Sequence, residues 1–191
     1  MWKKSQIIEA YYIAKINNLI PPVMEQPIYS MFDRNVVEYE YLDLYKYPYK
    51  MGTTIWNVLD RGLLTGKYNK SIPKDGRLNE GNKIGSYVGN LKYVTKDKLD
   101  KIDKLMVIAK ELNVTMAQLA VAWLIKNANV TSCILGATKV HQLHDTCQSI
   151  DAAIKLTSKH IQRIENILNN KPNPRELDVI LRQEKKIISR L

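Results

Sequence analysis

The chain has 191 residues, of which 45% are hydrophobic and 25% are charged, a balance typical of a globular domain. It contains no run of about 18 apolar residues and no signal-peptide pattern, so we expect a cytoplasmic protein that is not inserted in a membrane. The formal net charge of +10 is compatible with nucleic acid, an anionic membrane surface or an anionic cofactor. No nucleic-acid-binding motif accompanies this charge, and scattered lysines on helix faces explain it, so we expect no nucleic-acid partner.

The cysteines and histidines give no sign of a metal site or a disulfide framework. Cys133 and Cys147 are the two cysteines, and we interpret them as reduced, small core residues of a cytosolic protein. His141 and His144 lie three residues apart without a third ligand nearby, so surface histidines are the better interpretation. We therefore predict no bound metal.

The first half of the chain predicts two helices and two strands. Apolar positions at helical spacing indicate a helix over 5–17, with Ser5 as its cap. The sequence VMEQ, residues 23–26, is typical of a short buried strand, and a short helix is predicted within 39–52. Residues 53–59 are rich in β-branched and aromatic side chains and predict the next strand.

The second half predicts a long loop followed by helices and one strand. Residues 69–94 contain several glycines and a proline, which indicates a long loop. A loop of this length in a compact domain is usually a lid, a binding loop or a disordered segment. An amphipathic helix is predicted over 95–112 with Thr95 as its cap, and its apolar stripe consists of Leu99, Ile102, Leu105, Met106, Ala109 and Leu112. The remaining predicted elements are a helix at 115–127, a strand at 130–138, helices at about 139–150 and 157–169, and a basic tail at 173–191.

The order of these elements predicts an α/β fold. Strands that alternate with helices indicate parallel βα units. No G-x-G-x-x-G motif follows a strand, which argues against the doubly wound dinucleotide-binding fold. Barrel-type βα units remain, and in such barrels ligands bind in the loops that follow the carboxyl ends of the strands.

Three predicted strand ends carry polar side chains suited to a ligand. At the first, Gln26 can both donate to and accept from a carboxamide, and Tyr29 can stack on a flat ring. At the second, Gly62 and Gly66 allow close approach of the backbone, and Lys67 offers a cation for phosphate. An ordinary strand end with solvated polar groups is the alternative at both places.

The third strand end is the sequence LGATKVHQLHD. Gly136, Thr138 and Lys139 come just before a predicted helix, where exposed N–H groups attract an anion. Gln142 and Asp145 follow on the same predicted helix face. A capping turn without any ligand explains the same residues and remains the alternative.

Four segments together, in this order and spacing, resemble the carboxyl-terminal half of the aldo-keto reductases. They are EAYYIAKINNLIPPVMEQPIYSMFDR, WNVLDRGLLTGKY, TMAQLAVAWLIKN and ILGATKVHQLHD. The similarity covers about residues 2–172 and is strongest to the beta subunits of voltage-gated potassium channels and their relatives. It implies part of an eight-stranded α/β (TIM) barrel that binds NADP(H), a carbonyl substrate for the intact parent, and association with a potassium channel or into a homo-oligomer.

The resemblance also implies roles for individual residues. Gln26 would hold the nicotinamide carboxamide, with Tyr29 near the ring. The diphosphate, and the loop that folds over the cofactor, would be lined by Trp56, Asn57, Leu59, Lys67 and Arg77. The adenosine and its 2′-phosphate would be held by Gly136, Thr138, Gln142 and Asp145, with Lys139 nearby.

The chain departs from the family pattern in two respects. The family usually has Ser-Pro-Leu after the tryptophan, whereas this chain has Asn57-Val58-Leu59, followed by Asp60 and Arg61 in place of small or neutral residues. A carboxylate at Asp60 would oppose the binding of a diphosphate unless Arg61 or Lys67 offsets it. In addition, the family's catalytic Asp, Tyr, Lys and His have no counterpart here, and only the barrel's last three strands, about strands 6–8, are expected.

An incomplete barrel leaves several explanations open. A truncated gene model, a split gene and a half-barrel that needs a partner would each account for it, because a parallel piece of three strands leaves one edge unpaired. Two functions are therefore carried forward: the cofactor-binding half of an NADP(H)-dependent reductase that is inactive alone, and a non-catalytic subunit that associates with a channel or senses NADP(H).

Overall fold

A parallel sheet of three strands is the centre of the computed structural model, which describes residues 1–73, 76, 78 and 93–173. The strands are β1 (Met24–Glu25), β2 (Gly52–Ile55) and β3 (Ser132–Cys133), and they lie side by side in that order. Met24 pairs with Gly52, and Thr54 pairs with Ser132. The predicted parallel arrangement is confirmed. Strands β1 and β3 lie inside their predicted segments, whereas β2 begins one residue before its predicted segment and ends four residues before its end.

Six α-helices surround or connect these strands within the described part of the chain. They are α1 (Lys4–Ile16), α2 (Lys96–Glu111), α3 (Met116–Ile125), α4 (Val140–Cys147), α5 (Ser149–Lys155) and α6 (Ser158–Leu168). The segment predicted as one helix at 139–150 continues into a second one, because α4 ends at Cys147 and α5 begins two residues later.

Side-chain caps explain where two of the central helices begin. The Thr95 hydroxyl accepts a hydrogen bond from the backbone N–H of Lys98 at the start of α2, as predicted. Thr115 and Gln118 form a reciprocal capping box at the start of α3. The prediction of Ser5 as a cap was wrong, because α1 begins at Lys4 and the Gln6 side chain accepts from the backbone N–H of Lys3 instead.

The helix predicted within 39–52 is not present. A single π-helical turn, Val36–Glu40, overlaps only the start of this stretch, and the residues that follow form successive turns. Tyr41 and Leu44 are buried with Ile7 of α1 in a small second core. Successive turns therefore bury these side chains against α1 without a regular helix.

Helix α3 is the most deeply buried element. Every residue from Met116 to Leu124 is buried, which is the pattern expected of a helix covered on all sides. It packs against α2, α4 and α5. In α2 the predicted stripe is largely correct, since Ile102, Leu105 and Ala109 are buried, but Met106 is 40% exposed.

An apolar surface lies along the outer side of β1. It follows the end of α1 and the loop into β1, and its exposed members are Ile13, Ile16, Leu19, Ile20, Val23 and Met24. Among the described strands β1 pairs with β2 alone. An unpaired strand edge beside exposed apolar side chains is a site of association between chains.

We expect the purified chain to self-associate through this surface. Replacing Ile16 and Ile20 together by lysine should shift the population toward monomer, measured by light scattering during gel filtration, because two charges would then have to be buried on association. Val107→Lys, on the exposed side of α2, is the control and should leave the mass distribution unchanged. Equal association of all three proteins would contradict this assignment.

Two predictions fall wholly or partly outside the described residues. The long loop expected at 69–94 is described only as far as residue 73, at 76 and 78, and again from 93, and the basic tail is described only at 173. In the described part of the chain, no single helix has both the length and the apolar character needed to cross a membrane. Helices α2 and α3 meet that test only when joined, and they are bent by 88° relative to each other.

Candidate functional site

A cleft of about 760 Å³ lies at the carboxyl ends of β2 and β3. One wall is the loop that follows β2, from Trp56 to Lys67, and the opposite wall is the segment that follows β3 and enters α4. Thr115 and Ala117, at the start of α3, complete it. This volume is in the range of small-molecule and cofactor sites, and its position is the one where parallel α/β folds bind ligands.

The loop after β2 has an unusual backbone. Asn57, Asp60 and Arg61 all have positive φ, at 62°, 48° and 57°, a conformation that costs non-glycine residues free energy and is enriched at functional sites. The Asn57 side-chain oxygen accepts from the backbone N–H of Arg61 at 2.9 Å, which stabilises the turn. The sequence therefore maintains this loop shape through a specific side-chain contact.

Gly62 allows Lys67 to lie against this loop. Its φ is 89°, and a Cβ atom placed there would come within 3.3 Å of the Lys67 side chain. Because glycine has no side chain, the Lys67 Nζ atom reaches the same wall of the cleft as Arg61. Close approach of a ligand to the backbone at Gly62 stays a prediction.

Asp60 does not place its charge in the cleft. The carboxylate is fully buried, it accepts a hydrogen bond from the Tyr93 hydroxyl, and it lies 3.6 Å from Lys98 Nζ. Burial raises the pKa of the Asp60 carboxyl, while Tyr93 and Lys98 act in the opposite direction. The expected negative charge facing a diphosphate is therefore directed away from the cleft, toward α2.

The wall after β3 presents hydrogen-bonding groups. The Gln142 side-chain oxygen accepts from the backbone N–H of Thr138 at 2.9 Å and thereby closes the turn into α4. Two residues at the start of α3 hold the Asp145 carboxylate. Gln118 Nε2 donates to one carboxylate oxygen at 2.9 Å, and the Thr115 hydroxyl donates to the other at 3.0 Å. Gln118 is buried, so the position of Asp145 is fixed by the first turn of α3.

The charged side chains that line this cleft suit a ligand with both anionic and hydrogen-bonding parts. Arg61 and Lys67 lie on one wall and Asp145 lies on the other. Cations bind phosphate groups, and a carboxylate accepts from hydroxyl or amine groups. Trp56 and Ile134 add apolar surface.

The structure brings eight of the twelve predicted ligand residues to this one cleft. They are Trp56, Asn57, Leu59, Lys67, Gly136, Thr138, Gln142 and Asp145. The described residues that line the cleft do not include Gln26, Tyr29 or Lys139, and Arg77 lies outside the described residues. Binding of a ligand by any of these residues stays a prediction.

Tyr29 is a core residue rather than a surface for a flat ring. It is fully buried, its hydroxyl donates to Glu38 at 2.5 Å, and its ring packs on Trp123 with the centroids 5.6 Å apart. Burial raises the pKa of the Tyr29 hydroxyl far above its usual value. Gln26 is exposed just beyond β1, one strand away from the cleft, and Lys139 is the exposed residue before α4.

Several lining residues were not predicted as ligand contacts. Arg61 was considered only as an offset to Asp60, and His141 was interpreted as a surface residue, although its position next to Gln142 would have placed it nearby. Thr115 and Ala117 begin a helix far along the chain from both walls, and only tertiary packing brings them there.

Cys147 is exposed on α4 and is not a core residue, in contrast to the half-buried Cys133, where burial raises the thiol pKa to about 11.

This geometry defines a parallel α/β protein with a ligand cleft at the carboxyl ends of its strands. The sequence model of the aldo/keto reductase family matches residues 5–169, which is most of the chain. The chain therefore belongs to the aldo/keto reductase family, whose TIM-barrel-like α/β fold agrees with the parallel sheet and its helices.

Individual relatives support the same assignment. The chain is 41% identical over 178 residues to a probable voltage-gated potassium channel subunit beta of Oryza sativa subsp. japonica, covering 92% of this chain and 52% of that protein. It is 42% identical over 174 residues to the one of Arabidopsis thaliana, covering 90% and 51%. A putative subunit of the same name from Schizosaccharomyces pombe is 37% identical over 172 residues, covering 90% and 49%. The chain thus spans about half the length of these relatives.

Proposed function

We propose that the cleft between the loops after β2 and β3 binds NADP(H), with Lys67 on the phosphate groups and Gln142 and Asp145 on the adenosine part. The observation that carries this proposal is the convergence of Lys67, Gln142 and Asp145 on one cleft of about 760 Å³. Lys67 comes from the loop after β2, and Gln142 and Asp145 come from α4. The family is one of nicotinamide-dependent oxidoreductases.

The residues present fit such a cofactor chemically. The cations of one wall match the anionic phosphates, and the exposed indole of Trp56 offers a flat apolar surface. Asp145 is oriented by Gln118 and Thr115 before any ligand arrives, which reduces the ordering cost of binding. When bound, the nicotinamide would supply hydride transfer to a carbonyl, and this chain would bind and orient the cofactor while the catalytic tetrad is supplied from elsewhere.

Thermal unfolding of the purified 191-residue chain with and without NADPH tests this proposal. At a cofactor concentration of about 100 times the dissociation constant, binding to the native state should add about 2.7 kcal/mol to the free energy of unfolding. The expected shift in Tm is roughly 5–10 °C for a chain of this size. NADH, which lacks the 2′-phosphate, should give a smaller shift.

Two results would contradict cofactor binding. An unfolding transition that NADPH does not move would show that the cleft does not bind it. If NADPH raises the Tm of the Lys67→Gln variant as much as it raises the Tm of the native chain, the assigned contact between Lys67 and the phosphate groups is wrong. Lys70→Gln, three residues further along and not among the residues that line the cleft, is the matched control and should behave like the native chain.

A second function is favoured by the names of the relatives, which are potassium channel beta subunits. We propose as the alternative a cytoplasmic, non-catalytic subunit that associates with a channel or with further copies of itself and senses NADP(H). Co-elution with a purified voltage-gated potassium channel, with no aldehyde-dependent oxidation of NADPH, would favour it. Aldehyde-dependent oxidation without co-elution would favour the reductase.

A further inference from the structure

Among the described residues that line the cleft, Arg61 differs from Lys67 because contacts on the side away from the cleft hold its guanidinium in place. Its guanidinium lies over the Tyr93 ring, 4.2 Å from the ring centroid, and its Nη1 atom lies 3.7 Å from Asp60 Oδ1. The Arg61 backbone N–H is fixed by Asn57, and its positive φ is part of the same turn. Few rotamers are therefore open to this side chain.

One nitrogen of this guanidinium has no hydrogen-bond acceptor. Nη1 is buried from solvent, and within the described residues no acceptor lies within hydrogen-bonding distance and geometry. A buried donor without an acceptor costs free energy. Because Arg61 also lines the cleft, its guanidinium is a cation beside the cleft whose hydrogen-bonding groups the described protein acceptors do not fully satisfy.

The carboxylate next to Arg61 is mainly engaged by other groups. Tyr93 donates its hydroxyl to Asp60 Oδ1, and Lys98 Nζ lies 3.6 Å from Oδ2 and 3.2 Å from the Tyr93 ring centroid. Lys98 thus balances the charge of Asp60 on the side away from the cleft. The charge of Arg61 remains available for an anion, and Lys67 on the same wall adds to it.

We propose that Arg61 is a preorganised phosphate-binding residue of this cleft and that Asp60 is the positioning residue that orients it. This inference rests on the proposed NADP(H) site and adds to it a residue pair that replaces small or neutral residues of the family pattern. The guanidinium fork suits a phosphate group, which it contacts with two N–H donors.

Calorimetric titration of the whole chain with NADPH and, separately, with inorganic pyrophosphate tests the role of Arg61. Arg61→Gln should weaken the binding of both ligands about tenfold or more, since a hydrogen bond to a charged group is lost. Arg61→Lys, which keeps the charge but not the fork, should give an intermediate affinity. The control Arg163→Gln, on α6 and paired with Glu111, should bind like the native chain.

A high salt concentration tests whether Arg61 acts through its charge, and a double variant tests whether Asp60 acts by positioning Arg61. In about 1 M NaCl, where charges are screened beyond about 3 Å, the difference between the native chain and Arg61→Gln should shrink. Asp60→Asn should weaken pyrophosphate binding in the native chain and have no effect in the Arg61→Gln background. A rise in affinity on Asp60→Asn would overturn the positioning role, because Asp60 would then act only as an opposing charge.

The two ligands distinguish failure of this inference from failure of the proposed function. If NADPH binds equally to the native chain and to Arg61→Gln, the role of Arg61 is overturned and the cofactor site stands. If pyrophosphate binds through Arg61 but NADPH does not bind, the role of Arg61 is supported, and the proposal that the cleft binds NADP(H) is overturned. If the native chain binds neither ligand, both proposals are overturned.

Discussion

Replacement of Arg34 by methionine is expected to lower the free energy of unfolding by about 3 kcal/mol. The side chain is 4% exposed, and it donates from Nε and Nη2 to Glu38 at 2.9 and 2.8 Å and from Nη1 to Glu165 at 2.8 Å. It also lies over the Trp123 ring, 4.9 Å from the centroid. Without the guanidinium, two partly buried carboxylates would lose their common partner, which costs much more than the loss of one exposed pair.

The effect should appear as a fall in Tm of roughly 6–12 °C, measured by circular dichroism at neutral pH. Arg163→Met is the matched control, because Arg163 also makes a two-pronged contact, to Glu111 at 2.5 and 2.8 Å, but on the exposed surface. It should leave Tm nearly unchanged. A similar fall in both variants, or in neither, would show that the Arg34 network does not tie α6 to the loop after β1.

The Arg34 network also shows what sequence patterns could not predict. Arg34 and Glu165 are 131 residues apart, and no periodicity links them. The Tyr29 hydroxyl joins the same network through Glu38, so a tyrosine that the family resemblance suggested for a cofactor ring is a buried structural residue here. Long-range polar contacts of this kind depend on the assembled fold.

The segments that follow β2 and β3, and the Thr95 cap, were predicted from the sequence because their signals are local. Trp56 and Lys67 lie on the segment that follows β2, and Thr138 and Gln142 lie on the segment that follows β3, so identifying the strands was enough to predict that they meet. Parallel strands place their carboxyl ends at one edge of the sheet. The cleft therefore formed where the order of elements required it.

The position of Lys98 on the buried face of α2 is visible in the sequence, but its partner is not. It lies four residues before Ile102 and seven before Leu105, on the same face of α2 as the buried apolar stripe. A lysine at that position needs a buried partner, yet the sequence alone could not identify Asp60 as that partner. Only the folded structure shows that the buried face of α2 reaches the loop after β2, on the side of this loop that faces away from the cleft.

We expect Leu105→Ala to lower the free energy of unfolding by about 3 kcal/mol, measured by urea denaturation with tryptophan fluorescence. Leu105 has no exposed surface and lies in the main core together with Ile102 and Ile108. Truncation removes apolar contacts and leaves a cavity that the surrounding helices fill only in part. Few single substitutions in this chain should have a larger effect.

Val107→Ala is the control on the same helix. Val107 is 54% exposed, and alanine has the higher helix propensity, so this variant should be as stable as the native chain or more stable by up to about 0.5 kcal/mol. A cost of less than about 1 kcal/mol for Leu105→Ala, or a larger cost for Val107→Ala, would contradict the orientation of α2. Because the buried face of α2 also carries Lys98 to Asp60, the correct orientation of this helix is a condition for the geometry of Arg61 in the cleft.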